Sequence, residues 1–137
     1  MLDERLRSLL EAPAPAVLTT YRRDGSAATS PVWFRYDDDA VEVVVAQGDI
    51  KLKHLARRPG CVLVVFEAVP PFRGVRVAAE PELVTGDVAE VRLAIASRYL
   101  GDQRGRRFTD ERDPRGTVLR FPVAVASSWD LSAILPD

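Results

Sequence analysis

Apolar positions recur along this chain with two periods, one helical and one alternating, and together they divide it into helices and short strands. Leu2, Leu6, Leu9 and Leu10 fall at helical spacing before Pro13 and Pro15, which predicts an amphipathic N-terminal helix and then a break. Ala16 to Tyr21 reads as a strand, Arg23-Asp24-Gly25-Ser26 as a hairpin turn on its Asp-Gly pair, and Ala27 to Tyr36 as the return strand. Pro31 lies inside that return strand and cannot donate to a ladder, so the stretch is expected at an edge, a bulge or a bend. Asp37-Asp38-Asp39 turns the chain into the apolar run Ala40 to Ala46, and a short helix near Lys51 to Arg58 ends before Pro59-Gly60. Cys61 to Phe66 is apolar at every position, which predicts a strand covered on both faces. After the break at Pro70-Pro71-Phe72-Arg73-Gly74, the strand pattern resumes from Val75 through Val84. Val88, Val91, Ile95 and Tyr99 form one helical stripe, with Asp87 as its N-cap. Leu100 to Pro114, rich in Gly, Arg and Asp, is expected as a mobile loop, and a closing pair of strands covers Thr117 to Val123 and Val125 to Leu131.

Six or seven short strands in hairpin order, with few and peripheral helices, predict a mainly β fold: a small antiparallel split barrel, one domain over residues 1–137. The doubly covered strand Cys61 to Phe66 makes the barrel wall an expected interface, most economically that of a twofold homodimer. A cofactor pocket would take up much of so small a domain, so an active site is expected to draw on a second copy.

Charge and composition remove several function classes. The net charge is −1 with both signs interspersed, which argues against nucleic-acid binding and against a basic membrane-surface module. No apolar run approaches the ~20 residues that span a bilayer, and Met1-Leu2-Asp3-Glu4-Arg5 holds no signal-peptide core, so the expected location is cytoplasmic. With Cys61 as the single cysteine and His54 as the single histidine, there is no disulfide and no Cys/His cluster for a metal. Cys61 begins an apolar run and reads as a small buried residue rather than a nucleophile.

The basic residues are distributed unevenly. Both lysines, Lys51 and Lys53, sit in the turn Gly48 to His54, whereas the other basic residues are arginines. A strand-to-helix turn with basic side chains is a candidate anion site, because the first N–H groups of a helix are unpaired and its dipole favours negative charge there. Asp49 is the competing occupant, since it can cap the helix and take those N–H groups itself.

The order Ala16-Val17-Leu18-Thr19-Thr20, Arg23-Asp24-Gly25, Ser30-Pro31-Val32-Trp33-Phe34, and then Gly48 with Lys51 and Leu55-Ala56-Arg57-Arg58-Pro59, resembles the pyridoxamine 5′-phosphate oxidase-like split-barrel superfamily. More narrowly it resembles the flavin/deazaflavin oxidoreductase branch, and the likeness runs from about Leu9 to Asp130. The resemblance implies that Lys51 contacts the cofactor phosphate or nearby oxygens. It further implies that the backbone of Ser30, Pro31, Val32 and Trp33 lies along the cofactor ring, and that Val45, Ala46 and Gln47 line the ring or its ribityl chain. Phe72 and Arg73 would reach the cofactor of a neighbouring subunit, which places the sites at a homodimer interface. The implied cofactor is coenzyme F420, favoured by an Arg-, Ala- and Val-rich composition typical of a high-GC coding source, with FMN as the alternative. The implied chemistry is hydride transfer to a conjugated or carbonyl-type small molecule, carried by the cofactor, with no catalytic residue readable. Pyridoxamine phosphate oxidase activity itself is disfavoured, because Ala126-Ser127-Ser128-Trp129-Asp130 supplies no basic substrate-phosphate cluster. A non-catalytic module that stores or senses a flavin or haem-related ligand is the reading from a different class.

Overall fold

The computed structural model describes residues 3–137, so Leu2 of the N-terminal stripe lies outside the described residues. The leucines that follow it turn one face of α1 (Glu4–Glu11) inward, with Leu9 and Leu10 buried, and Asp3 caps the helix by accepting from the Arg5 N–H at 2.8 Å. β1 (Ala16–Tyr21) and β2 (Ala27–Val32) form the Asp-Gly hairpin, in which Gly25 takes φ 88° and the Asp24 carboxylate accepts from the Ser26 N–H. Pro31 pairs with Val17, and among the described residues β1 is the only neighbour of β2, so of the expected edge, bulge or bend the proline takes the edge.

The chain changes sheets where the sequence predicts continuous strands. β2 ends at Val32, and after Trp33-Phe34 the short β3 (Arg35–Asp37) pairs with β4 (Ala40–Ala46) in a second sheet. A helix, α2 (Ile50–Arg57), returns the chain to β5 (Cys61–Phe66) in the first sheet. The strand expected from Val75 through Val84 likewise divides at Glu80-Pro81 into β6 (Gly74–Ala79) and β7 (Glu82–Asp87), one in each sheet. The predicted closing strands do not pair with each other. β8 (Arg115–Pro122) lies between β4 and β7, whereas β9 (Ser127–Trp129), reached through a 3-10 turn over Val123–Val125, pairs with β6. The described residues therefore form two antiparallel sheets, β2-β1-β5-β6-β9 and β3-β4-β8-β7, with nine short strands in place of six or seven. The fold class is the expected one, mainly antiparallel β with helices at the periphery.

Alternation along the strands builds the core between the sheets. Leu18, Leu63, Val65, Val75 and Val77 point inward from the first sheet and meet Val41, Val43, Leu119 and Phe121 from the second. β5 does not find cover on both faces within one chain: Cys61, Leu63 and Val65 are buried, but Val62, Val64 and Phe66 stay half-exposed on the outer face. Beside them Trp129 lies across Gly74, so close that a Cβ at that glycine would fall 1.9 Å from the indole.

The segment Leu100 to Pro114 is not the expected loop. α3 (Ala89–Leu100) ends at Gly101, with φ 83°, and α4 (Asp102–Asp110) folds back against it. Gly105 makes this crossing possible, because a Cβ there would stand 2.7 Å from the Ser97 amide nitrogen. Asp87 is not the N-cap of α3: Val88 takes that place, and Asp87, one residue before it, accepts from the Ala89 N–H at 3.0 Å. Among the described residues no helix is long and apolar enough to cross a membrane.

Candidate functional site

The crossing between sheets at Trp33-Phe34 gives these neighbours different surroundings, although both rings pack on Tyr99. Phe34 is fully buried in the core. Trp33 is stacked on Tyr99 at 5.2 Å and 11° and tilted against Phe108 at 5.1 Å. Tyr99 is held from both ends: its hydroxyl donates to the Ala14 carbonyl at 2.9 Å and accepts from the Phe34 N–H at 3.4 Å, while burial pushes its phenol pKa up. The indole thus has a rigid back wall.

A cavity of about 260 Å³ opens beside Trp33. Pro31 and Val32 approach it from β2, Val44, Val45 and Ala46 from β4, and Asp49 and Lys51 from the start of α2. Arg92 and Ile95 of α3, with Phe108 and Arg112 at the end of α4 and just beyond, complete it. The cavity therefore gathers Pro31, Val32, Trp33, Val45, Ala46 and Lys51 from the residues that the sequence singles out. Ser30 borders an adjoining hollow of about 230 Å³, which it shares with Lys51, His54 and Thr20. Gln47 is exposed and faces a third cavity, beneath β7, with Leu52 and Leu83. Phe72 and Arg73 lie in the β5–β6 turn, away from all three cavities of their own chain. The Arg73 guanidinium is taken up there by Glu67 at 2.8 Å, by Ser8 at 2.9 Å and by the Arg5 carbonyl.

The start of α2 is already occupied by a carboxylate of the chain. Asp49 caps the helix, accepting from the Lys51 N–H at 2.8 Å, and the same oxygen lies 3.6 Å from Lys51 Nζ. This reduces the local positive field without closing Lys51 off from the two hollows. His54 is fixed by Nδ1 to the buried Thr20 hydroxyl at 2.8 Å and ties α2 to β1. Cys61 is buried, and desolvation pushes its thiol pKa up to about 12, so it offers no thiolate. Among the described residues no group of His, Cys, Asp and Glu could hold a metal ion.

Arg92 and Arg112 escape the sequence reading. Arg92 is 7 % exposed and Nη1 donates to the Asp113 carbonyl at 2.7 Å; burial first, and Arg112 second, lower its pKa. Arg112 donates to the Phe108 carbonyl at 2.8 Å and stands 3.4 Å over the Phe108 ring. A signal for Arg92 exists in the sequence, since it lies four residues after Val88 and three before Ile95, on the stripe that α3 turns inward. Arg112 had none, being placed by a helix that the composition conceals.

A pocket with an aromatic wall, exposed strand-end backbone and basic side chains can hold a planar, anionic ligand. Solved structures share the fold. The conserved hypothetical protein Rv2991 from Mycobacterium tuberculosis superposes with a TM-score of 0.82 at 19% identity, covering 100% of this chain and 90% of that one. A structure described as an F420 reductase superposes at 0.73 with 21% identity, covering 92% and 98%. An FMN-binding, pyridoxamine 5′-phosphate oxidase-related protein from Nostoc punctiforme superposes at 0.62 with 18% identity, covering 93% and 78%. No curated protein sequence matches the chain. The family model for pyridoxamine 5′-phosphate oxidase matches residues 2–130, nearly the whole chain, and on that match the protein belongs to the pyridoxamine 5′-phosphate oxidase family.

Proposed function

We propose that the protein is an oxidoreductase that holds a flavin-type cofactor beside Trp33 and passes hydride to a conjugated or carbonyl-type small molecule. The observation that carries this reading is the convergence of Pro31, Val32, Trp33, Val45, Ala46 and Lys51 on one cavity, although they come from β2 and the link after it, from β4 and from α2. The strand end at Val32 leaves backbone beyond the ladder free to pair with a ring edge, and the Trp33–Tyr99 stack fixes the wall behind it. Lys51 reaches the hollow that Ser30 and His54 border, where a phosphate would sit. When bound, the cofactor supplies two-electron transfer as hydride, and solvent completes the reduction with a proton. Coenzyme F420 is the favoured cofactor and FMN the alternative; the F420 reductase among the similar folds and the Arg-rich composition support that order.

The active form is a homodimer in this proposal. Val62, Val64 and Phe66 stand half-exposed on the outer face of the first sheet, and Val17, Thr19 and Trp129 extend that face. Burying it against a second copy covers apolar surface. It also gives Phe72 and Arg73 a route to the site of the neighbouring subunit, whereas Gln47, which faces the separate cavity beneath β7, takes no part in the Trp33 pocket.

A paired fluorescence titration with FMN and coenzyme F420 tests the cofactor, followed by consumption of reduced cofactor in the presence of acceptors. Micromolar binding that weakens about tenfold in Lys51→Ala is expected, the loss of one charge-assisted contact. Binding of neither cofactor would overturn the reading; binding without turnover against any acceptor would make the protein a carrier.

A further inference from the structure

The cavity beside Trp33 holds positive charge that the chain does not balance. Arg92 is 7 % exposed, and its single hydrogen bond runs to a neutral carbonyl, that of Asp113. The Asp113 carboxylate itself is engaged by Arg115 at 2.8 Å, and among the described residues no carboxylate pairs with Arg92. Arg112 enters the same cavity, its guanidinium stacked on Phe108. Two arginines lining one cavity repel each other, and the buried one, Arg92, is costly to desolvate, unless a ligand brings the counter-charge. Lys51 differs, because Asp49 compensates it at 3.6 Å and it shares its second hollow with Ser30 and His54.

We propose that Arg92 and Arg112 hold the carboxylate or phosphate of the hydride acceptor, whose planar body lies beside Phe108 while the cofactor keeps the free face of Trp33. The word acceptor rests on the oxidoreductase reading above; the anion site itself rests on the cavity alone. A fixed guanidinium fork matches a carboxylate or phosphate in geometry as well as charge, and the aromatic wall selects a flat, unsaturated body. The substrate class is therefore an unsaturated or aromatic acid, or its phosphorylated counterpart, and not a neutral carbonyl compound.

The test uses trans-cinnamate and its neutral amide, cinnamamide, which share a body and differ in charge. Trp33 reports binding by fluorescence in a Trp129→Phe background, where it is the single tryptophan of the chain. Cinnamate is expected to bind at least tenfold more tightly than the amide, and Arg112→Gln and Arg92→Gln are expected to remove most of that preference. Arg92→Lys is expected to restore part of it. Arg112 is exposed, so its variant tests the proposal even if Arg92→Gln does not fold. Equal binding of acid and amide by the parent protein, or an unchanged preference in Arg112→Gln, overturns the proposal. A parallel titration compares FMN with riboflavin, which lacks the phosphate. If the arginine variants rather than Lys51→Ala erase the preference for FMN, the anion held there is the cofactor's, and the assignment to the acceptor falls. If neither flavin nor F420 binds while the preference for cinnamate persists, the oxidoreductase reading fails and the acid site stands.

Discussion

Two groups of arginines in this molecule are treated in opposite ways. In the second sheet, Arg35 and Arg120 flank Glu42, at 2.7 and 2.8 Å from its two carboxylate oxygens, and the glutamate side chain is only 7% exposed. In the cavity, Arg92 and Arg112 hydrogen-bond to carbonyls and Arg112 stacks on an aromatic ring, but among the described residues neither forms an ion pair, and Asp113 acts on Arg92 only through the charge of a carboxylate that Arg115 engages. The first group is closed: its charges satisfy one another across β3, β4 and β8 and hold three strands in register. The second is open, and a buried arginine without an ion pair, with a second arginine beside it, marks a place where something else is meant to bind.

The largest expected effect breaks the closed group. Glu42→Ala leaves two arginines facing each other at the sheet surface, and a loss of about 3 kcal/mol or more in unfolding free energy is expected by urea denaturation. Glu42→Gln, which keeps the shape and one acceptor oxygen, is expected to cost less. A loss below about 1 kcal/mol in the alanine variant would place the trio among surface pairs of little consequence and remove the contrast.

Next in size is the platform that carries the open group. Gly105→Ala would gain up to about 1 kcal/mol in helix propensity, but its Cβ has Ser97 backbone at 2.7 Å to contend with. Overpacking of that kind costs about 1–3 kcal/mol, so net destabilisation is expected in thermal unfolding. Because Phe108 rides on α4, the Trp33 emission is expected to shift as well, and an unchanged spectrum would show that the α3–α4 crossing does not set the cavity wall.

The same crossing shows how far the sequence could be read. Alternation and turn chemistry revealed the strands near Ala16, Ala40 and Cys61, and the edge position of Pro31 is one of the three that its missing N–H allowed. The sheet changes at Trp33-Phe34 and Glu80-Pro81 were hidden, because a chain can cross a corner without altering its alternation. α4 was hidden for a different reason. It has no apolar stripe, and it packs through Gly105, Thr109 and Phe108, residues whose contribution depends on the α3 face that receives them. The β-strand side of the cavity was therefore legible, along with Lys51, while the arginine side was not. The cover expected on both faces of β5 is not supplied within one chain, where alternating burial leaves Val62, Val64 and Phe66 half-exposed.

A smaller effect sharpens the comparison at Arg92 itself. Arg92→Gln gives up one hydrogen bond to a carbonyl, about 1 kcal/mol, but also removes a buried charge without a partner. The two nearly cancel, so the variant is expected to unfold within about 1 kcal/mol of the parent, unlike Glu42→Ala. A loss comparable to that of Glu42→Ala would mean that Arg92 is a structural residue after all.

The smallest effect concerns the turn that carries Arg92's carbonyl partner. The Arg115 side chain first, and its backbone N–H second, hold the Asp113 carboxyl down from 3.8 to about 2. A carboxyl lowered in the folded state stabilises it above the unfolded value, and that contribution is lost as pH falls from 3.8 toward about 2. Asp113 is fully exposed, so the effect on global stability is small and screened by salt. Asp113→Asn is therefore expected to unfold slightly more easily than the parent at neutral pH, with the difference vanishing through the acid window. Because the Asp113 carbonyl positions Arg92, loosening this turn is also expected to weaken the preference for cinnamate over its amide. A preference unaffected by Asp113→Asn would mean that the cavity walls, rather than this turn, fix the arginine.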